Sequence, residues 1–292
     1  MRYAWIKEQR GSFPLEALCQ ALGVSPSGFA AWRRGGSWRG RLTDAQLLTL
    51  IRAIHAESKG AYGSPRIWRE IKERGLPASR ERVARLMTEH GIRAKHKRRY
   101  KATTDSKHAL PVAPNLLAQD FQASRPDQKW TADITYIPTA EGWVYLAVVM
   151  DLYTRMIVGW SMGARMTREL VIDALRMAYF RRRPKPGLIH HSDRGSQYCS
   201  ADYQALLAGY GMIVSMSRKA NCWDNAPMES FFNSLKNERT HGSRYATREE
   251  ARQDTFEYIE VFYNRSRRHS ALGYVSPAQH YAAWQSKQKL AA

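Results

Sequence analysis

Three acidic residues stand at positions where a folded chain could bring metal ligands together. Asp133 lies within the alternating segment WTADITYI, on the polar face of a predicted strand. Asp193 follows the short apolar segment LIHH, and Glu229 falls in the first turn of a predicted amphipathic helix. Carboxylate oxygens are ligands that Mg²⁺ prefers, and two such ions can activate the attacking oxygen and stabilise the leaving oxygen of a phosphodiester. The residue types therefore suit phosphoryl transfer.

Each acid also has an ordinary structural interpretation. Asp133 could be a sheet residue with satisfied hydrogen bonds, Asp193 a turn former, and Glu229 an acid stabilised by the helix dipole. Taken singly, these interpretations and the metal-ligand interpretation remain open. Taken together within their three motifs, the acids favour a shared site. A fourth carboxylate, Asp151, ends its predicted strand and is interpreted as structural.

The elements around these acids alternate in an α/β order. The predicted elements are, in sequence, the strands WTADITYI, WVYLAVVMD and RMIVGWS, a helix from Thr167, the strand GLIHH, a helix from about Ala201, the strand MIVSM and a helix from near Pro227. Such an order predicts one mixed five-stranded sheet flanked by helices. A further helix is predicted from Thr247 to about Asn264, and Ser276 and Pro277 open a short terminal one.

The first third of the chain is predicted to be all-helical. Residues 15–34 have the pattern of two helices joined at Gly23, and a second block follows with Asp44 as its capping candidate. Within that block, helices that start at Ser64 and Ser79 form another pair. Both pairs match the helix-turn-helix pattern, although two packed helices without a ligand would look the same.

Charge is the main evidence for a partner. The net charge is +20; residues 1–110 carry 23 basic and 9 acidic side chains, against 23 and 17 in residues 111–292. The segment KHKRRYK at residues 95–101 indicates an exposed basic hinge, unless it is merely a solvated tail. A basic excess of this size favours nucleic acid, because each neutralised phosphate releases counterions.

Several classes of protein are disfavoured. The cysteines Cys19, Cys199 and Cys222 follow no zinc-ligand spacing and are too few for a disulfide framework, which suits a reducing cytoplasm. The amino terminus lacks a signal peptide, and the strongest apolar run, residues 143–150, is far shorter than the roughly 20 residues that span a bilayer. We therefore expect a cytoplasmic, nucleoid-associated bacterial protein without a membrane role.

The three acidic motifs resemble a known superfamily. Between Asp193 and Glu229 lie 35 residues, which resembles the D,D(35)E arrangement of retroviral integrases and many bacterial transposases. The motifs WTADITYI, HSDRGSQYCS and DNAPMESFFNSLKNE share the likeness, and residues 40–285 as a whole look like an OrfB-type insertion-sequence transposase.

This resemblance implies a ribonuclease H-like core and a dependence on Mg²⁺ or Mn²⁺, with two ions expected at Asp133, Asp193 and Glu229. It also implies a water or 3′-hydroxyl nucleophile, double-stranded DNA as the substrate, and an upstream OrfA-type protein as a partner. Because two element ends must be brought together, a homo-oligomer is expected.

The chain departs from retroviral integrases at two points. Asn233 stands where those enzymes tend to have Lys, which weakens the case for a phosphate clamp there. Their zinc-binding amino-terminal domain is absent, because Cys19 is the only cysteine before residue 199. Helix-turn-helix segments are expected in its place.

The predicted organisation has five parts: helix-turn-helix 1–40, second helical DNA-binding domain 41–100, basic linker 101–125, catalytic core 126–265 and basic helical tail 266–292. The candidate DNA contacts are basic or lie beside the acids: Lys236, Asn233, Arg194, His190, Lys97, Arg98, Arg99, Arg80, Arg82, Arg85, Arg33 and Arg34.

Two other functions remain open at this point. One is a DNA-binding regulator without catalytic activity, and the other is a ribonuclease H-type hydrolase without strand transfer. The helix-turn-helix candidates argue against the second, because a hydrolase that recognises duplex shape needs no major-groove reader.

Overall fold

The computed structural model describes residues 2–33, 42–95, 110–218 and 222–291. It divides into two compact units, Met1–Ala94 and Lys95–Ala292. None of the helices in these described ranges has the length and apolarity needed to cross a membrane.

Helices make up the described part of the first unit. They are α1 (Arg2–Gln9), α2 (Leu15–Ala21), α3 (Pro26–Arg33), α4 (Asp44–Glu57), α5 (Ser64–Glu73) and α6 (Arg80–Glu89). The sequence predicted α2 to α6 but not α1. At α4 the cap is Thr43 rather than Asp44, because Thr43 Oγ1 accepts from the Gln46 amide while Gln46 Oε1 accepts from the Thr43 amide.

Two small cores hold these helices. Ile6 of α1 packs with Leu18 and Cys19 of α2 and Phe29 of α3. In α4 to α6 the buried side chains recur at helical spacing; they are Leu47, Ile51, Ile54, Ile67, Ile71, Val83, Leu86 and Met87.

The second unit contains the sheet and its covering helices. In chain order these are β1 (Lys129–Thr139), β2 (Gly142–Asp151), β3 (Ile157–Gly163), α7 (Arg168–Arg182), β4 (Ile189–Ser192), α8 (Ala201–Gly209), β5 (Ile213–Met216), α9 (Ala226–Leu235), α10 (Arg248–Phe256) and α11 (Pro277–Ala291). A 3₁₀ turn, Cys222–Asn225, leads into α9, and π-helical segments Lys236–Thr240 and Glu257–Tyr263 follow α9 and α10.

The five strands form one sheet in the order β3-β2-β1-β4-β5. The meander β1 to β3 is antiparallel, whereas β4 pairs in parallel with both β1 and β5. This mixed five-stranded sheet flanked by helices confirms the predicted ribonuclease H-like fold.

Each face of the sheet is covered by different helices. Helices α7 and α8 pack on the face that presents Trp130, Ala132 and Val158. Helix α9 and residues 257–263 pack on the other face, against Val148.

The chain after residue 265 lies in the same compact unit: Asn264 O accepts from the Ala278 amide, and the Arg182 guanidinium lies 3.9 Å from the ring centre of Tyr281. Helix α11 has 15 residues, so it is longer than the short helix predicted there.

The contact between β3 and α7 generates a stability prediction. A Cβ at Gly159 would lie 2.6 Å from the Ala178 amide nitrogen and 2.7 Å from Ala178 Cβ, and it would collide with the Ala174 carbonyl oxygen. We expect Gly159→Ala to destabilise the chain by about 2 kcal/mol, because backbone atoms cannot move aside as a flexible side chain can. Chemical denaturation of the purified variant measures this.

Gly163→Ala on the same strand is the matched control. A Cβ there meets its nearest atoms at 3.4 Å, which is ordinary contact, so stability should change little. Equal stability of the two variants would contradict the close packing of β3 on α7.

Candidate active site

Asp133 lies in the middle of the central strand. It pairs with Val148 of β2, and residues opposite each other in an antiparallel pair share a face. Because Val148 packs with α9, Asp133 also faces that helix. The carboxylate is half-buried, and its Oδ1 accepts a 2.7 Å hydrogen bond from the Ile134 amide.

Asp193 is brought to the same level by the parallel pairing of β1 with β4. Lys129 is opposite Ile189 and Thr131 is opposite His191, and Asp133 and Asp193 each lie two residues beyond the last of these pairs. Asp193 follows the last residue of β4, and its Oδ1 accepts a 2.9 Å bond from the Gly195 amide. A Cβ at Gly195 would stand 3.0 Å from that oxygen, which explains a small residue in the turn.

Glu229 lies in the first turn of α9, where its side chain is exposed. The start of this helix is tied to β1 by Asn225. The Thr131 hydroxyl donates to Asn225 Oδ1, and Asn225 Nδ2 donates to the Ala132 carbonyl at 3.3 Å. Since Ala132 precedes Asp133, these bonds hold the helix that carries Glu229 against the strand that carries Asp133.

Asp224 fixes the turn before α9 from the other side. Its carboxylate is fully buried and accepts from the Arg218 amide and guanidinium, from Asn115 Nδ2 and from Gln119 Nε2. The hydrogen bonds with Arg218 hold the pKa of Asp224 far below its usual range. The sequence pattern did not single out Asp224 or Asn225, although Asp-Asn directly before a helix is a capping signal.

Asp133 is disfavoured as a charged group by burial and by the other two acids. Burial raises the pKa of Asp133 well above its usual value, and the nearby charges of Asp193 and Glu229 raise it further, while Lys236 opposes them. Partial burial also raises the pKa of Glu229. The structure thus brings the three predicted acids into one electrostatic neighbourhood.

The donor set fits a hard divalent cation, because it consists of carboxylate oxygens whose mutual repulsion a positive ion would relieve. As placed, however, no three His, Cys, Asp or Glu side chains within the described ranges stand close enough to hold one metal ion. A shared ion would therefore require the acids to move closer together.

Lys236 is buried next to this site, with 8% of its surface exposed. Its ammonium lies 5.3 Å from the centre of the Tyr136 ring. Burial lowers its pKa to about 8, and the charge of Asp133 opposes the change. Asn233 is exposed one turn earlier, and its Oδ1 accepts from Asn237 Nδ2 at 2.8 Å.

The predicted DNA contact at His190 is wrong in this structure. His190 is fully buried, its Nε2 forms a 3.1 Å hydrogen bond with the Tyr203 hydroxyl, and burial lowers its pKa to about 3. Its ring belongs to the core on the α8 side of the sheet, opposite to Asp133. His191 is buried as well, between the hydroxyls of Ser215 and Ser217.

The remaining candidate contacts differ in their surroundings. Arg194 is half-buried and donates to the Ser217 carbonyl, while Arg33 and Arg80 are exposed. Arg82 and Arg85 both form ion pairs with Asp44 at the start of α4. Four further candidates, Arg34, Lys97, Arg98 and Arg99, lie outside the described residues.

The charge at Asp133 generates a second prediction. Its raised pKa means that the ionised form costs folding free energy once the pH rises above the unfolded value of about 3.9. At pH 7.5 in EDTA we expect Asp133→Asn to raise the melting temperature by about 2 °C or more, a gain that vanishes near pH 3. Thermal unfolding across this pH range measures it.

Mg²⁺ should stabilise the wild-type chain by binding only its folded form, and Asp133→Asn should lose this response. Asp202→Asn is the control, because that carboxylate is exposed on α8 in an ion pair with Arg168. A Mg²⁺ response that persists in Asp133→Asn would contradict the assignment.

Comparison with known proteins gives consistent matches. A model described as integrase core domain matches residues 123–222, a second model with the same description matches residues 229–283, and an HTH-like domain matches residues 42–100. The 31 kDa protein of insertion element IS600 from Shigella sonnei is 50% identical over 261 residues, which is 89% of this chain and 96% of that protein.

Transposase InsF of insertion sequence IS3A from Escherichia coli strain K12 is 45% identical over 284 residues, covering 96% of this chain and 98% of that protein. Among solved structures, the HTLV-2 integrase catalytic core domain in complex with magnesium aligns with 15% identity and a TM-score of 0.43, covering 55% of this chain and 99% of that one. By its identity to InsF over nearly the whole length, the chain belongs to the IS3-type insertion-sequence transposases and carries an integrase core domain.

Proposed function

We propose that this transposase cuts the ends of its insertion sequence and joins the freed 3′-hydroxyl groups to target DNA, with Asp133, Asp193 and Glu229 as the catalytic residues. The observation that carries the proposal is the placement of the three acids: Asp133 lies in the middle of β1, Asp193 directly follows β4, and Glu229 lies in the first turn of α9, which Asn225 ties to β1. Burying a carboxylate beside two others is costly, and a cation site is the simplest compensation.

The three carboxylates would hold Mg²⁺ or Mn²⁺, two ions being expected. Bound there, the ions would supply charge stabilisation to the attacking and leaving oxygens of the phosphodiester. The protein supplies the geometry: the Ile134 amide orients Asp133, the Gly195 amide orients Asp193, and Asn225 sets the position of the helix that carries Glu229.

The helical unit is proposed to bind the terminal inverted repeats as double-stranded DNA, since residues 42–100 match an HTH-like domain. Juxtaposing two ends calls for a homo-oligomer, and an upstream OrfA-type protein is a further proposed partner. The enzyme would act on DNA in the bacterial cytoplasm.

The catalytic proposal is tested with labelled duplexes that carry the inverted repeats flanking the reading frame. With Mg²⁺, the wild-type chain should yield cut ends and joined products. We expect Asp193→Asn and Glu229→Gln to lower both by at least about 100-fold, because losing one ligand removes charge stabilisation worth several kcal/mol. DNA binding, measured by gel shift, should persist.

Asp202→Asn again serves as the control and should cut normally. Cleavage without joining would favour a nuclease, and binding without breakage would favour a regulator. Full activity of Glu229→Gln would overturn the assignment of the triad.

The DNA-binding part of the proposal has its own test. Arg80 is exposed at the start of α6, the last helix within the HTH-like match. If it contacts a phosphate, Arg80→Ala should weaken binding to all sequences alike and reduce the slope of log affinity against log salt by about 1. Arg74 lies at the end of α5 and forms an exposed ion pair with Glu57. Arg74→Ala should leave the slope unchanged. Equal slopes for all three proteins would exclude an Arg80 phosphate contact.

A further inference from the structure

Trp223 is unusually exposed for its size. With 69% of its surface accessible, it is more exposed than any other Trp or Phe in the described ranges. It lies in the 3₁₀ turn that leads into α9, six residues before Glu229. Exposing so large an apolar ring forgoes the stabilisation that burial would give, so its exposed position calls for an explanation.

The backbone that carries this indole is held firmly. The next residue, Asp224, is fully buried in its bonds to Arg218, Asn115 and Gln119. The residue after that, Asn225, is 5% exposed and bonded to β1. Retracting the ring through a backbone movement would break these buried hydrogen bonds, each costly to leave unmade.

The same bonds set the position of Trp223 relative to the acids. Asn225 donates to Ala132, the residue before Asp133, and α9 begins directly afterwards with Glu229 in its first turn. The turn therefore borders two of the three acids. If the phosphate of a DNA strand lay among the acids, the bases next to that phosphate would pass close to this turn.

We propose that Trp223 stacks on a nucleobase of the DNA in the active site and keeps that base unpaired from its complementary base. The inference rests on the proposed function. Every base offers a flat π face, and an indole provides a stacking surface of matching size whatever the sequence. The residue after Trp223, Asp224, is paired with Arg218, whose side chain is 55% exposed.

Photo-crosslinking tests the contact without requiring catalysis. Glu229→Gln keeps the DNA intact, and end duplexes carry a single 5-iodouracil at successive positions on both strands around the cleaved phosphate. At one position we expect a crosslink that maps to Trp223, disappears in Glu229→Gln/Trp223→Ala and persists in Glu229→Gln/Trp223→Phe. Phe180→Ala is the matched control, because Phe180 is 64% exposed on α7, which covers the opposite face of the sheet.

Cleavage kinetics test the consequence. In the active chain, Trp223→Ala should cut fully paired ends about 10- to 100-fold more slowly, the effect expected for the loss of one base–aromatic stack. Trp223→Phe should remain close to wild type. A substrate mispaired beside the cleaved phosphate should restore the Trp223→Ala rate, which a purely structural defect would not allow.

Unchanged crosslinks in Trp223→Ala at every position, or normal cutting of paired ends, would overturn the proposal. A Trp223→Ala chain that fails to self-associate yet crosslinks normally would assign the ring to a protein contact and would overturn it as well. If the wild-type chain cut no ends at all, the proposed function would fail, whereas crosslinking would still decide whether Trp223 contacts a base.

Discussion

The electrostatic cost of the Asp133 carboxylate is the constraint on which the candidate site in the second unit depends. Asp133 lies at the middle of the central strand, where burial and the charges of Asp193 and Glu229 all disfavour its ionised form. The fold tolerates this cost because the sheet core and the two helical layers supply the stability elsewhere. Under the proposed function, bound cations would relieve this repulsion and would in turn be favoured by it.

Rigid positioning of these acids depends on residues that take no part in chemistry. The parallel register of β1 and β4 sets the level of Asp193, and the bonds from Asn225 to β1 set the start of α9. Asp224 and Arg218 lock the turn before it. Glu229 is the most accessible of the three acids, so under the proposed function it would be the ligand best able to adjust to cations and DNA.

The basic side chains divide into two groups by their surroundings. Arg82 and Arg85 hold α6 to the start of α4 through Asp44, so part of the basic excess stabilises the helical unit itself. Arg33 and Arg80 remain exposed and available to phosphates. Lys236 belongs to neither group, because it is buried beside Asp133 and offsets part of the negative charge there.

How much was predictable from sequence varies with the range of the interactions involved. The alternation in WTADITYI, the apolar run WVYLAVVMD and the start of the helix at Pro227 determined the strands and helices, because local periodicity reports which face of an element is buried. The 35-residue spacing of Asp193 and Glu229 indicated the family. The periodic patterns require only neighbours along the chain, and the spacing is given directly by the residue numbers.

Other features depended on packing between distant segments. His190 looked like a surface contact, yet α8 covers it and the hydroxyl of Tyr203 satisfies its ring. Asn225 carried no signal in the sequence, yet it forms hydrogen bonds with Thr131 and Ala132 more than 90 positions earlier. The sequence alone determined which residues could be strands, helices and ligands. Only the tertiary structure decided which of them meet, because burial and hydrogen bonding across the sheet arise from contacts that no local pattern encodes.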